Sequence, residues 1–215
     1  GWNNYTPIPY QISCKIVADN DWGDYFQFVY TTFPAGTTVP TFKRELTAEE
    51  NAALDEANRL LVHCGPRPLG QNAVPTRHDA RLSPNGGSDS LRLDGPAAIH
   101  RIRVKVNDLP APPGDRDVLR ELVLQIRWDG EARASVWSPL GDFFGTAPGA
   151  NAYRSLPCGL TDDGWFYANW FMPFARSAEV TLRNDGPQPR RVELEIATVP
   201  LPKGAEHYAR FHAKW

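Results

Sequence analysis

The residue types best suited to chemistry are aromatic rings crowded beside glycine. They occur at Gly141-Asp142-Phe143-Phe144-Gly145, at Asp163-Gly164-Trp165-Phe166-Tyr167 and at Trp170-Phe171. Flanking glycines let the backbone turn sharply and present one carboxylate with two rings. Such a cluster suits a sugar site, in which rings stack on C–H faces and a carboxylate binds hydroxyls. The same residues also read structurally: Phe143 and Phe144 plug the end of a sandwich while Asp142 caps a turn. The residues alone lean toward the second reading. Trp128 and Trp137 read as core for the same reason.

Other chemistries find little support. The sequence has no nucleophile elbow, P-loop, His-Glu-x-x-His or Gly-x-Gly-x-x-Gly. His63, His78, His100, His207 and His212 are scattered without ligand spacing, so no metal site and no cofactor is expected. Cys14, Cys64 and Cys158 are an odd count without Cys-x-x-Cys spacing and read as small core residues.

The elements that must position these residues read as all-β. A chain of 215 residues with 41% apolar content can bury real cores. A net charge of −2 with mixed signs argues against a nucleic-acid partner, and no apolar window is long enough to span a membrane. Ile102, Val104 and Val106 alternate with Arg101, Arg103 and Lys105. Leu122, Leu124, Ile126 and Trp128 do the same before the Asp129-Gly130 turn. Val180 and Leu182, then Val192, Leu194 and Ile196, flank a turn at Asn184-Asp185-Gly186. Half-buried alternation with frequent turns predicts antiparallel sheets, most simply a sandwich or jelly roll.

Earlier in the chain, 14–18 and 25–33 read as strands. Thr47-Ala48-Glu49-Glu50 is a capping box that opens a helix near 48–63. Its narrow stripe of Leu54, Ala57 and Leu61 predicts packing across a sheet edge or between domains. Residues 66–92, rich in Pro, Gly, Asn and Ser, read as a long connection.

The chain also resembles itself. Sliding 6–13 onto 170–177 pairs Pro9 with Pro173, Tyr10 with Phe174, Ser13 with Ser177 and Ile16 with Val180. The repeat predicts two copies of one domain, the first lacking about 70 upstream residues. The expected organisation is the second half of one jelly roll over 1–45, a helix and loop linker over 46–92, and most of a second jelly roll over 93–215.

Several stretches taken together carry a family likeness. They are Pro7-Ile8-Pro9-Tyr10 with Ser13-Cys14-Lys15, Arg127-Trp128-Asp129-Gly130, Ser138-Pro139-Leu140-Gly141-Asp142-Phe143-Phe144-Gly145, Met172-Pro173-Phe174 and Phe211-His212-Ala213-Lys214-Trp215. The sequence resembles a bacterial family once called domain of unknown function 2961, now glycoside hydrolase family 172. The resemblance implies two jelly-roll sandwiches per subunit, trimers or hexamers, and retaining hydrolysis or transfer at fructofuranosides or arabinofuranosides. It implies a carbohydrate substrate. By motif and chemistry the pocket candidates are Asp142, Phe143 and Phe144, followed by Trp170 and His212.

One departure bears on mechanism. The family's catalytic glutamates lie in later motifs of the form Gly-Glu-Gly-Asp-Glu and Gly-Thr-Gly-x-Glu-Asp-Tyr-Phe, and neither occurs here. A retaining glycosidase needs two carboxyl groups roughly 5–5.5 Å apart, so no catalytic residue is assigned. Two expectations follow. The chain is the central section of a furanosidase, with the remainder in a further segment or a second chain. Alternatively it is a double jelly roll used for assembly or sugar binding. A polysaccharide-degrading role would favour export.

Overall fold

The computed structural model describes residues 4, 6–21, 23, 26–201 and 207–215. The chain divides into two compact units, Gly1–Asn58 and Arg59–Trp215.

In the first unit the described backbone ahead of the helix carries no β-ladder. It is held by a hydrogen bond from the Phe42 N–H to the Pro9 carbonyl (2.8 Å) and from the Val39 N–H to Gln11 Oε1 (2.6 Å). The expected strands at 14–18 and 26–33 do not form, and Ile16, Val17, Phe28 and Tyr30 are exposed; residues 24 and 25 lie outside the described set. Period-two alternation says which face a strand would bury, but the ladder needs a partner strand, and alternation cannot name one.

Helix α1, Ala48–Val62, opens on the expected capping box. The Thr47 N–H donates to Glu50 Oε2 (2.8 Å), and the Glu50 N–H donates to Thr47 Oγ1 (3.2 Å). These reciprocal bonds hold the Glu50 carboxyl below its usual range, the backbone bond from Thr47 contributing most. No residue of α1 is buried, and Leu54 and Leu61 are exposed.

The second unit is a two-sheet sandwich. Strands β1 (Val74–Leu82), β3 (Ala97–Val106), β6 (Cys158–Leu160), β7 (Phe166–Ala168), β8 (Met172–Phe174) and β10 (Arg190–Pro200) form one sheet. Its order is β1-β10-β3-β7-β6, with β8 also pairing β3. Strands β2 (Gly87–Asp94), β4 (Leu122–Trp128), β5 (Val136–Pro139), β9 (Ser177–Asn184) and β11 (Ala213–Lys214) form the other, in the order β11-β5-β4-β9-β2. The chain passes repeatedly from one sheet to the other, the winding of a jelly roll. Every pairing is antiparallel except β11 with β5. Ile102, Val104, Leu194 and Ile196 from one sheet meet Leu124, Ile126, Val180 and Leu182 from the other in one core. The alternation foreseen for β3, β4, β9 and β10 is therefore the inward face.

The reading of 66–92 as a connection is corrected. Residues 74–82 and 87–94 are edge strands paired with β10 and β9. Each buries few side chains, chiefly Ala80, Leu82 and Leu93. An edge strand also tolerates Pro75, which a central strand would not. Between them the turn signal was sound: Asn85 (φ +57) and Gly86 (φ +98) take left-handed conformations, and the Gly86 N–H donates to the Asn184 carbonyl (2.7 Å).

Residues paired by the self-resemblance differ in burial. Pro173 and Phe174 are buried in β8 and Ser177 is buried in β9, whereas Pro9 is half-buried and Tyr10 and Ser13 are exposed outside any strand. Two short helices were also unforeseen, α2 (Gly114–Glu121) and the single turn α3 (Leu140–Phe143). Helix α2 buries Asp115, Val118 and Leu119, too few positions to leave a sequence period.

Candidate functional site

Asp142, Phe143 and Phe144 sit where β5 ends in the turn of α3. The turn is closed by bonds from the Phe144 N–H to the Leu140 carbonyl (3.1 Å) and the Thr146 N–H to the Gly141 carbonyl (2.8 Å). Gly145 leaves it with φ +72, and a β-carbon there would strike the Tyr153 hydroxyl. That hydroxyl donates to the Phe144 carbonyl (2.7 Å) and lies 3.0 Å from Cys158 Sγ. Burial and the Cys158 thiol push the Tyr153 phenol well above its ordinary range. Gly145 thus serves close packing around Tyr153, and Gly141 close packing against Leu119.

The two rings belong to the core. Phe144 is fully buried and Phe143 is 8% exposed. They meet edge-to-face at 5.1 Å, and Phe144 packs on Phe166 at 5.8 Å. Neither offers an open face to a ligand, so as substrate-binding rings both are corrected to core residues. Asp142 is partly exposed and its Oδ2 lies 3.3 Å from Arg120 Nε. The Arg120 guanidinium in turn stands over the Trp215 ring, 5.2 Å from its centroid.

The segment 207–215 joins the remaining candidates. Its Phe211 ring lies 6.5 Å from Phe143 and 5.9 Å from Trp170, and its carbonyl accepts from Trp128 Nε1 (2.8 Å). Trp170 is 38% exposed, and beside it the half-exposed Phe171 meets Tyr208 at 6.1 Å. Trp170, Phe171 and Tyr208 therefore form an aromatic shelf on the surface. His212 is exposed between Phe211 and Ala213. The structure brings Trp170 to Phe143 through Phe211, while Asp142 is drawn the other way, toward Arg120 and Trp215.

A groove of about 450 Å³ is lined by Gln125, Arg127, Arg133, Trp137, Lys214 and Trp215, with Ala132 and Ala134. Trp215 is 70% exposed. Strand β11 sets the two indoles, since Lys214 pairs with Trp137 and the Trp215 N–H donates to the Trp137 carbonyl (3.2 Å). Sequence reasoning placed Trp137 in the core with Trp128. Trp128 is indeed fully buried, but Trp137 is half-exposed on this groove. Its signal was parity: Trp137 sits between Val136 and Ser138, both buried.

Among the described residues no group of His, Cys, Asp and Glu is arranged to hold a metal, and no helix is long and apolar enough to cross a membrane. The three cysteines are unpaired. Cys14 is exposed rather than core, and Cys158 is half-buried against the core.

Fold and site together define a jelly-roll sandwich with a surface aromatic shelf and a tryptophan-lined groove. A GH172 domain-like family model matches residues 75–196, more than half of the chain, and a GH172 first beta-sandwich domain model matches residues 1–50. The chain belongs to glycoside hydrolase family 172. No curated protein matches the sequence. Among solved structures, the STIV MCP is similar at 12% identity and a TM-score of 0.36, covering 60% of this chain and 49% of that one. The serine protease of Aeromonas sobria is similar at 14% identity and a TM-score of 0.29, covering 69% and 30%. In complex with its chaperone ORF2 the figures are 15%, 0.29, 71% and 30%. The chain thus spans about half or less of those chains, and nothing about its function follows from them.

Proposed function

We propose that this chain is the central scaffold of a retaining glycoside hydrolase or transglycosylase acting on furanosides. Membership of the family, with one model on each unit, is the observation that carries the reading. The chain supplies the sandwich and an aromatic surface at Trp170, where a sugar ring can stack. The nucleophile and the acid/base, held roughly 5–5.5 Å apart, come from a further segment or a second chain. Subunits assemble as trimers or hexamers, and export suits an enzyme that meets polysaccharide.

A second reading is a double jelly roll for assembly or sugar binding without catalysis. It is favoured by the engagement of Asp142 with Arg120, which leaves this carboxylate in an ion pair. The test is to establish the termini of the natural polypeptide by mass spectrometry and assay it on aryl fructofuranosides and arabinofuranosides. Turnover with retained anomeric configuration supports the hydrolase. A polypeptide that assembles into a defined oligomer but turns over no furanoside supports the second reading.

A further inference from the structure

We propose that the groove between Trp137 and Trp215 is a subsite for an anionic saccharide, with a sugar ring on indole and a carboxylate or sulfate met by Arg127, Arg133 and Lys214. The inference rests on the reading that this protein handles saccharides, and it is independent of which linkage is cut. At about 450 Å³ the groove is as large as ordinary ligand clefts, which span about 300–1,000 Å³.

Its charge is one-sided. Three of the eight lining residues are cations and none is a carboxylate. Arg127 meets Glu179 through Nη1 at 3.3 Å, and Arg133 and Lys214 are exposed. Arginine suits this task because its fork of donors matches a carboxylate or sulfate with two parallel bonds.

Its apolar surface has the complementary form. Arg120 stands over the Trp215 ring at 5.2 Å, and the Trp137 ring is half-exposed on the groove. Trp137 is held one ladder position away in β5, so the spacing of the two rings is set by backbone hydrogen bonds. Flat rings beside cations discriminate an acidic sugar from a neutral one, which gains stacking alone, and from an acidic peptide, which gains charge alone.

The experiment is calorimetric titration of the protein, with tryptophan fluorescence in parallel. The probes are an oligogalacturonate, a sulfated oligosaccharide of equal length, a neutral oligosaccharide and a glutamate oligomer. At least one acidic saccharide is expected to bind about tenfold or more tightly than the neutral one and the peptide. The carboxylated and sulfated arms identify the anion. Arg133→Gln with Lys214→Gln should weaken that binding several-fold with unchanged circular dichroism, and Trp215→Ala should abolish the fluorescence change. Equal binding of neutral and acidic saccharides, equal binding of the glutamate oligomer, or no binding of either acidic saccharide would overturn the proposal. Loss of the furanosidase reading leaves these arms unaffected, so the two can fail separately.

Discussion

Arg210 closes on Asp129: both its Nε and a terminal nitrogen stand 2.7 Å from Asp129 Oδ2. The other carboxylate oxygen, Oδ1, accepts the N–H groups of Ala175 (2.9 Å), Arg176 (2.6 Å) and Ser177 (3.2 Å). One side chain at the turn after β4 thus fixes both the start of β9 and the segment that carries Phe211, Lys214 and Trp215. The turn reaches this position with Asp129 at φ +55 and Gly130 at φ +82.

Replacing Asp129 tests this clamp. Burial raises its pKa, but the Arg176 N–H, the Arg210 guanidinium and the Ser177 N–H outweigh burial and hold the carboxyl below its usual range. The folded pKa therefore lies below the unfolded one. The stabilisation is complete above the unfolded value of about 3.9 and is lost as pH falls through the folded pKa. Asp129→Asn should cost about 2–3 kcal/mol near neutral pH. Urea denaturation from pH 7 to pH 3 should show wild type and variant converging at the acid end.

A second test concerns Glu195, which is buried on β10. Its Oε1 lies 2.5 Å from Arg101 and 3.5 Å from Arg103, and its Oε2 lies 3.2 Å from Arg77. Arg101 is buried as well, although its alternation with Ile102 predicted an outward charge. Glu195→Ala strands Arg101 without its counter-ion and should cost about 3–5 kcal/mol in chemical denaturation. The double variant Arg101→Met, Glu195→Leu should recover much of that loss.

Gly145 offers a backbone test. With φ +72 and the Tyr153 hydroxyl in the way, Gly145→Ala meets both left-handed strain and a clash. A loss of about 2 kcal/mol or more is expected. Tyr153→Phe with Gly145→Ala should still be destabilised by the strain, which separates the two contributions in thermal melts.

The carbohydrate reading is tested at Trp170 and Asp142. Trp170→Ala should raise KM on an aryl furanoside about tenfold, equivalent to roughly 1.4 kcal/mol of lost binding, with little change in melting temperature because the ring is partly exposed. Asp142→Asn should cost less than about 1 kcal/mol, since its pair with Arg120 is partly solvated. Unchanged kinetics in both variants would remove this region from the substrate surface.

Much of this was legible before any coordinates. The inward faces of β3, β4, β9 and β10 follow from period-two alternation because a central strand must bury one face along its whole length. The capping box of α1 was equally readable, being a pattern four residues long whose bonds are satisfied locally. Edge strands β1 and β2 escaped because half of their backbone faces no partner and few of their side chains reach the core. The candidate site was less legible still. Phe143 and Phe144 cannot be told from ligand-binding rings by type, since core and sugar both favour an aromatic face. Local sequence determined the sheets and the helix start. Tertiary structure alone decided that Asp142 turns to Arg120, that Trp137 faces a groove with Trp215, and that Asp129 clamps two distant segments, because each of these depends on which residues far apart in the chain are brought within a few ångströms.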